Sequence, residues 1–154
     1  MMGAGLPAVS AQALAEACAG AMWAGDEASR GLGMRLDRVA PGEAVLSMEV
    51  APRMVNGHAI CHGGFIFTLA DSAFAFACNS YDQRTVAQHC SITFIAPAQL
   101  GDVLTAHAVE VVRSGRSGIY DITVRNQANA VVAEFRGHSR TIKGALLGAE
   151  RGRP

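Results

Sequence analysis

The rhythm of apolar and polar positions changes several times along the chain, and each change marks an element. From Ser10 to about Met22, alanine, leucine and glutamate recur at helical spacing. Ser10 stands where an N-cap belongs and Gly25 lies beyond the end, so the pattern predicts an amphipathic helix. Met34 to Val39 and Ala44 to Val50 read as strands on either side of Pro41-Gly42, which predicts a hairpin. Between His62 and Cys78 apolar residues occupy every side of the helical wheel, the mark of a helix buried within a fold. Asn79-Ser80 is expected to close it, with Asn79 in the left-handed conformation of a C-terminal cap. Beyond it the period falls to two: Thr85 to Ile95, Val103 to Val112, Tyr120-Ile122-Val124 against Asp121-Thr123-Arg125, and Val131 to Ile142. Arg113 to Gly118 serves as a turn.

About six strands joined mostly by local hairpins make an antiparallel sheet with one face to bury, and the all-apolar helix is the object to bury in it. The expected class is α+β: a sheet wrapped around a central helix, with an N-terminal helix beside it. The chain has 154 residues, half of them hydrophobic, which suits one compact domain over 1–154. Thirteen basic residues balance thirteen acidic ones, so no net field recruits nucleic acid or an anionic membrane, and any phosphate binding must be local. Four cysteines without CxxC spacing, no basic-then-apolar leader and no membrane-length apolar run predict a cytoplasmic protein with free thiols. The Gly- and Pro-containing ends are expected to fray.

The chemistry concentrates at the head of the central helix. His62-Gly63-Gly64 presents backbone N–H groups and the positive end of the helix dipole, with no side chains on the glycines to hold a ligand away. A carbonyl aimed at the Gly63 N–H would find an oxyanion donor. Asp71 is the one carboxylate of that greasy segment, and a charge there needs a partner or a task. At 1.5 Å per residue Asp71 lies roughly 12 Å from Gly63 along the same helix, too far to share one carbonyl. A second copy of the helix running antiparallel across a two-fold axis brings its Asp71 to the first copy's Gly63, so the spacing predicts an obligate dimer.

Other signals stay open at this level. Asn56, in Asn56-Gly57-His58, either orients the attacking water or simply makes a turn. His62 is a general acid, a carbonyl-side hydrogen-bonder, or a residue that starts the helix. The segment Arg113 to Gly118 is a hairpin turn whose arginines and glycine amides also suit phosphates. His58, Cys61 and His62 lack a fourth ligand at standard spacing, so no metal is expected, and Cys61 with a histidine is a weak nucleophilic pair. His89, His107 and His138 lie in strands with no convergent partner in the sequence, and Arg136 faces either a ligand or a neighbouring subunit.

Taken together, Asn56-Gly57-His58, Cys61-His62-Gly63-Gly64, Leu69-Ala70-Asp71, Ala73-Phe74-Ala75 and Cys78-Asn79-Ser80 resemble the signature of the hotdog-fold acyl-CoA thioesterases of the phenylacetate-degradation type. With Gly115, Gly118, Tyr120-Asp121 and Phe135-Arg136-Gly137, the likeness runs over about residues 30–142. It implies hydrolysis of an acyl-CoA thioester without a cofactor, with Asp71 as the catalytic carboxylate, the Gly63 amide as oxyanion donor and Asn56 assisting the water. Gly64, Arg113, Gly115, Arg116 and Gly118 become candidates for contacting the substrate. It also implies a tetramer of two hotdog dimers, with CoA along a subunit interface. Two other functions compete: a hotdog hydratase or dehydratase, which commonly uses a histidine for proton transfer, and a non-enzymatic CoA-ester regulator, which has no need of Asp71.

Overall fold

The computed structural model describes residues 8–148, and the expectation of fraying ends falls largely on 1–7 and 149–154, outside the described residues. Three helices, α1 (Ala11–Gly25), α2 (Glu27–Gly31) and α3 (Gly63–Cys78), accompany six strands. These are β1 (Arg35–Ala40), β2 (Glu43–Glu49), β3 (Thr85–Phe94), β4 (Val103–Ser114), β5 (Ser117–Arg125) and β6 (Val131–Thr141). They form one antiparallel sheet in the order β1-β2-β4-β5-β6-β3. α3 packs against every strand, which is the hotdog arrangement that the sequence resemblance implies. None of the helices is long and apolar enough to cross a membrane, among the described residues.

The inner face is built by strict alternation. Leu104, Ala106 and Ala108 on β4, Tyr120, Ile122 and Val124 on β5, and Phe135, Gly137 and Ser139 on β6 all turn toward the helix. Phe74 is the keystone of α3: its ring meets Tyr120 and Phe135, with centroids 5.5 and 6.1 Å away. Gly137 makes this possible, since a Cβ there would stand 2.8 Å from the Phe74 ring.

Three local expectations change. α1 runs through Gly25 instead of ending near Met22, because Asp26 caps it through its backbone and then starts α2 by accepting from Ser29 N. Asn79 does cap α3, but at φ −98° it is not left-handed. Its side chain holds the end instead, donating to Ala75 O and Thr85 O and accepting from Thr85 N. The β4–β5 turn shrinks to Gly115-Arg116, with only Gly115 at positive φ (58°), the pattern of a two-residue type II′ hairpin.

The two sheet edges differ. α1 covers β1, and Gln12 Nε2 donates to Val39 O across that edge. β3, at the other edge, is ten residues long and mostly exposed on both faces. An uncovered edge of that length is a template for another strand.

Candidate active site

The loop before α3 is stitched to the rest of the fold. His62 N donates to Met54 O, Cys61 N to Ala98 O, and Val55 bridges Cys61. Inside it Asn56 Oδ1 accepts from His58 N (2.9 Å) and Ile60 N (3.4 Å). The turn reading of Asn56 is therefore physically present, and it fixes the amide: the oxygen is occupied, while Nδ2 meets no acceptor among the described residues. Ala59, at φ 60°, closes the loop in a conformation that costs a non-glycine residue free energy.

His62 is the N-cap of α3. Its Nδ1 accepts from Gly64 N at 2.9 Å, so the neutral ring carries its proton on Nε2 and the Gly64 N–H is already engaged. Of the glycine pair, the Gly63 N–H remains without a backbone partner among the described residues. Gly63 lines a groove of about 540 Å³ whose walls are mostly apolar, with Ile60, Ile66, Phe94 and Pro97 among them and Asn56 also contributing. Phe94 lies so close that a Cβ on Gly63 would meet its Cζ at 2.7 Å. A side chain there would have to displace that half-exposed ring. Sequence reasoning passed over Phe94; the available signal was a large apolar residue placed three positions ahead of Pro97 at a strand end.

Asp71 sits half-buried in the middle of α3 with no cation paired to it among the described residues. Among those residues its one side-chain neighbour at hydrogen-bond range is the Cys90 thiol on β3, 4.0 Å from Oδ1. Burial pushes its carboxyl above the ordinary aspartate range. The same burial, with the Asp71 charge adding to it, raises Cys90 to about 11. Burial also raises the Cys61 thiol, which removes the thiolate that a Cys–His nucleophile needs. Among the described residues no three His, Cys, Asp or Glu side chains gather as metal ligands.

Gly63 touches Phe94 and Asp71 touches Cys90, so α3 runs antiparallel to β3 alongside it. Eight helical residues and four strand residues both span roughly 12–13 Å. Within the chain the two groups therefore stay apart.

The substrate-contact candidates of the β4–β5 hairpin stand at the other end of α3. Arg113 stacks on Tyr81, its guanidinium carbon 3.5 Å from the ring centroid, and pairs with Glu110 at 3.3 Å. Arg116 donates to Thr141 O, and Gly118 is a packing glycine whose Cβ would stand 2.6 Å from Ser139 Oγ. His89 and His138 do meet, as cross-strand partners with ring centroids 5.4 Å apart, and His107 Nε2 lies 2.7 Å from Glu43. Arg136 forms a bidentate pair with Asp121, whose carboxyl it holds below the usual range.

Residues 58–133 match the family model described as the thioesterase superfamily. The acyl-coenzyme A thioesterase PaaI of Escherichia coli (strain K12) is 44% identical over 128 residues, covering 83% of this chain and 91% of the relative. The structure of the E. coli PaaI protein from the phenylacetic acid degradation operon superposes with a TM-score of 0.87 at 43% identity, covering 88% of this chain and 99% of the other. A Streptococcus mutans protein bound to acetyl CoA superposes at 0.70 with 25% identity, covering 73% and 90%.

Proposed function

The chain belongs to the thioesterase superfamily, and from that premise we propose that it hydrolyses the thioester of an aryl-acetyl-CoA, or a related medium acyl-CoA, to the free acid and CoA. The observation that carries the reading is Asp71: a half-buried carboxylate with a raised proton affinity and no charged partner among the described residues. A group held at that cost suits a proton acceptor. The open Gly63 N–H in an apolar groove supplies the complementary half, a donor for the charge that develops on the carbonyl oxygen.

The two halves join across a two-fold axis. Gly63 is level with Phe94 and Asp71 with Cys90, so a copy that brings its Asp71 to this Gly63 aligns its Cys90 with this Phe94. The axis then passes through Ile92, midway along that stretch of β3, and the open β3 edges pair antiparallel. In the composite site the partner subunit's Asp71 takes a proton from water as the water oxygen attacks the carbonyl carbon. The carbonyl oxygen gathers charge against Gly63 N–H, and Asn56, which has only its Nδ2 to offer, donates from the groove margin. Collapse expels the CoA thiolate, which recovers the proton from Asp71. Water and thioester thus become acid and thiol.

Thiol release from a panel of aryl and alkyl CoA esters tests the activity. Mixing two inactive variants tests the sharing. Asp71→Asn keeps a sound Gly63 and Gly63→Val keeps a sound Asp71, so a co-refolded mixture regains about a quarter of wild-type activity if each site takes one group from each chain. No recovery from the mixture would place both groups in one subunit.

A further inference from the structure

His89 on β3 and His138 on β6 take no part in the chemistry above, yet the sheet sets them directly opposite one another in the β3–β6 ladder. A bulge fixes that register. From Ala87 to Cys90 the chain takes three steps on β3, matched by two on β6 from Ser139 to Gly137, and the extra residue brings His89 level with His138. Both face away from the helix. Cys90 points to Asp71 and Gly137 lies under Phe74, so the residues that alternate with them, His89 and His138, occupy the opposite face of the sheet from the candidate active site. There His89 is exposed and His138 partly buried.

The spacing of the two rings is the informative quantity. Their centroids are 5.4 Å apart and their planes 76° from parallel, so they do not stack. A Zn–N bond of about 2.0–2.1 Å puts each imidazole centre roughly 3.2 Å from a shared ion, and a tetrahedral angle then sets the two centres roughly 5.2 Å apart. A ring centre lies close to the Cβ–Cγ axis, so rotation about χ2 turns a nitrogen toward the shared point while the spacing holds. The nitrogens are available: among the described residues, the hydrogen bonds of histidine rings belong to His62 and His107. Around the pair, Arg136 is locked to Asp121 by two bonds, and Ile119 stands across from His138 on β5. Arg140, two residues along β6, has no ion pair among the described residues and repels a cation. Two nitrogen bonds must outweigh that repulsion, which favours ions that bind imidazole over Mg²⁺ or Ca²⁺, whose ligands are oxygens.

We propose that His89 and His138 form a two-imidazole site for a borderline transition cation such as Zn²⁺ or Ni²⁺, with water completing its coordination. The ion clamps β3 to β6. β3 is the edge strand that places Cys90 beside Asp71 and Phe94 over Gly63, so the clamp stabilises the strand on which the candidate active site depends while staying off the groove itself.

The test is calorimetric titration of Zn²⁺ into the reduced full chain, in a buffer that does not bind metals, with wild type, His89→Gln, His138→Gln and the double variant. Wild type is expected to take up one Zn²⁺ per chain. Each single variant should bind about tenfold or more weakly, and the double variant no more weakly than either, because one imidazole alone has already lost the chelate. Melting temperature gives a second reading: saturating Zn²⁺ should raise it in wild type and leave it unmoved in the variants. Neither reading needs turnover, so the site stands or falls apart from thioester hydrolysis. Binding that survives in both single variants, losses that add in the double variant, Mg²⁺ displacing Zn²⁺ at equal concentration, or no uptake by wild type would each overturn it.

Discussion

The two ends of α3 are built on opposite rules. At the C-terminal end the buried polar side chains find partners: Asn79 ties the last turn to β3, and Ser80 Oγ donates to Ala77 O while accepting from Gly42 N. Tyr81 and Tyr120 share the Glu110 carboxylate, and burial together with that bond pushes Tyr81 up to about 12, so it stays a donor. At the N-terminal end, among the described residues, the Gly63 N–H beside an apolar groove has no backbone partner, and the carboxylate two turns on lies half-buried with no cation paired to it. Satisfied groups stabilise a fold; unsatisfied ones are retained where another molecule completes them.

The largest effect should come from removing the uncompensated charge. Asp71→Asn is expected to lower kcat by about a thousandfold or more. Stability should move the other way. A carboxyl whose folded proton affinity exceeds its unfolded one contributes stability that is present below the unfolded value of about 3.9 and is lost as pH rises through the raised folded value. The asparagine variant should therefore melt higher than wild type at pH 7–8, with the gain gone near pH 3. A variant that melts lower at pH 8 would mean that Asp71 has a stabilising partner.

Next in size is the donor. Gly63→Ala drives a Cβ into the Phe94 ring at 2.7 Å, and moving that ring should reduce kcat/KM by tens of fold while the fold survives. Phe94→Ala in the same chain makes room and should recover part of the loss, a coupling that a double-mutant cycle reads directly. Independent, additive losses would separate the ring from the donor.

The contrast also explains what the sequence could carry. Periodicity sufficed for six strands and the buried helix, because one face of each strand must be apolar when a single sheet covers a single helix. The sheet order was not legible: β3 precedes β4 in the chain yet lies at the far edge, beside β6. Hydrophobic pattern is blind to which neighbour a strand chooses. At the site, the Gly63 to Asp71 spacing carried a quaternary argument because helix geometry is fixed. Phe94 did not emerge, since its role depends on β3 running back along α3. Arg113 drew attention as part of a motif, although its neighbours Tyr81 and Glu110, which neutralise it, are distant in sequence.

The C-terminal end should answer a mutation in stability and not in rate. Asn79→Ala removes three hydrogen bonds and leaves Thr85 O and Thr85 N short of partners, at a cost of about 2 kcal/mol. Chemical denaturation should record that loss while kcat of the folded enzyme stays within about twofold. A fall of a hundredfold in kcat would show that the two ends are not separable in this way.

His62 makes the finest test, because it belongs structurally to the quiet rule while standing at the active end. Its Nδ1 takes the Gly64 N–H, which any good N-cap side chain can do, and its Nε2–H is left over. As a cap alone, His62→Ala should cost about 1 kcal/mol, and His62→Ser should restore most of it with kcat little changed throughout. As a general acid, alanine and serine should both lower kcat by about a hundredfold, and the cap-competent serine should rescue nothing. Capping also biases which glycine amide faces the groove: with Gly64 N–H engaged, Gly63 donates alone. Releasing Gly64 in the alanine variant offers the carbonyl a second donor, so a small gain in kcat beside the loss in stability would mark His62 as the residue that keeps the oxyanion site single.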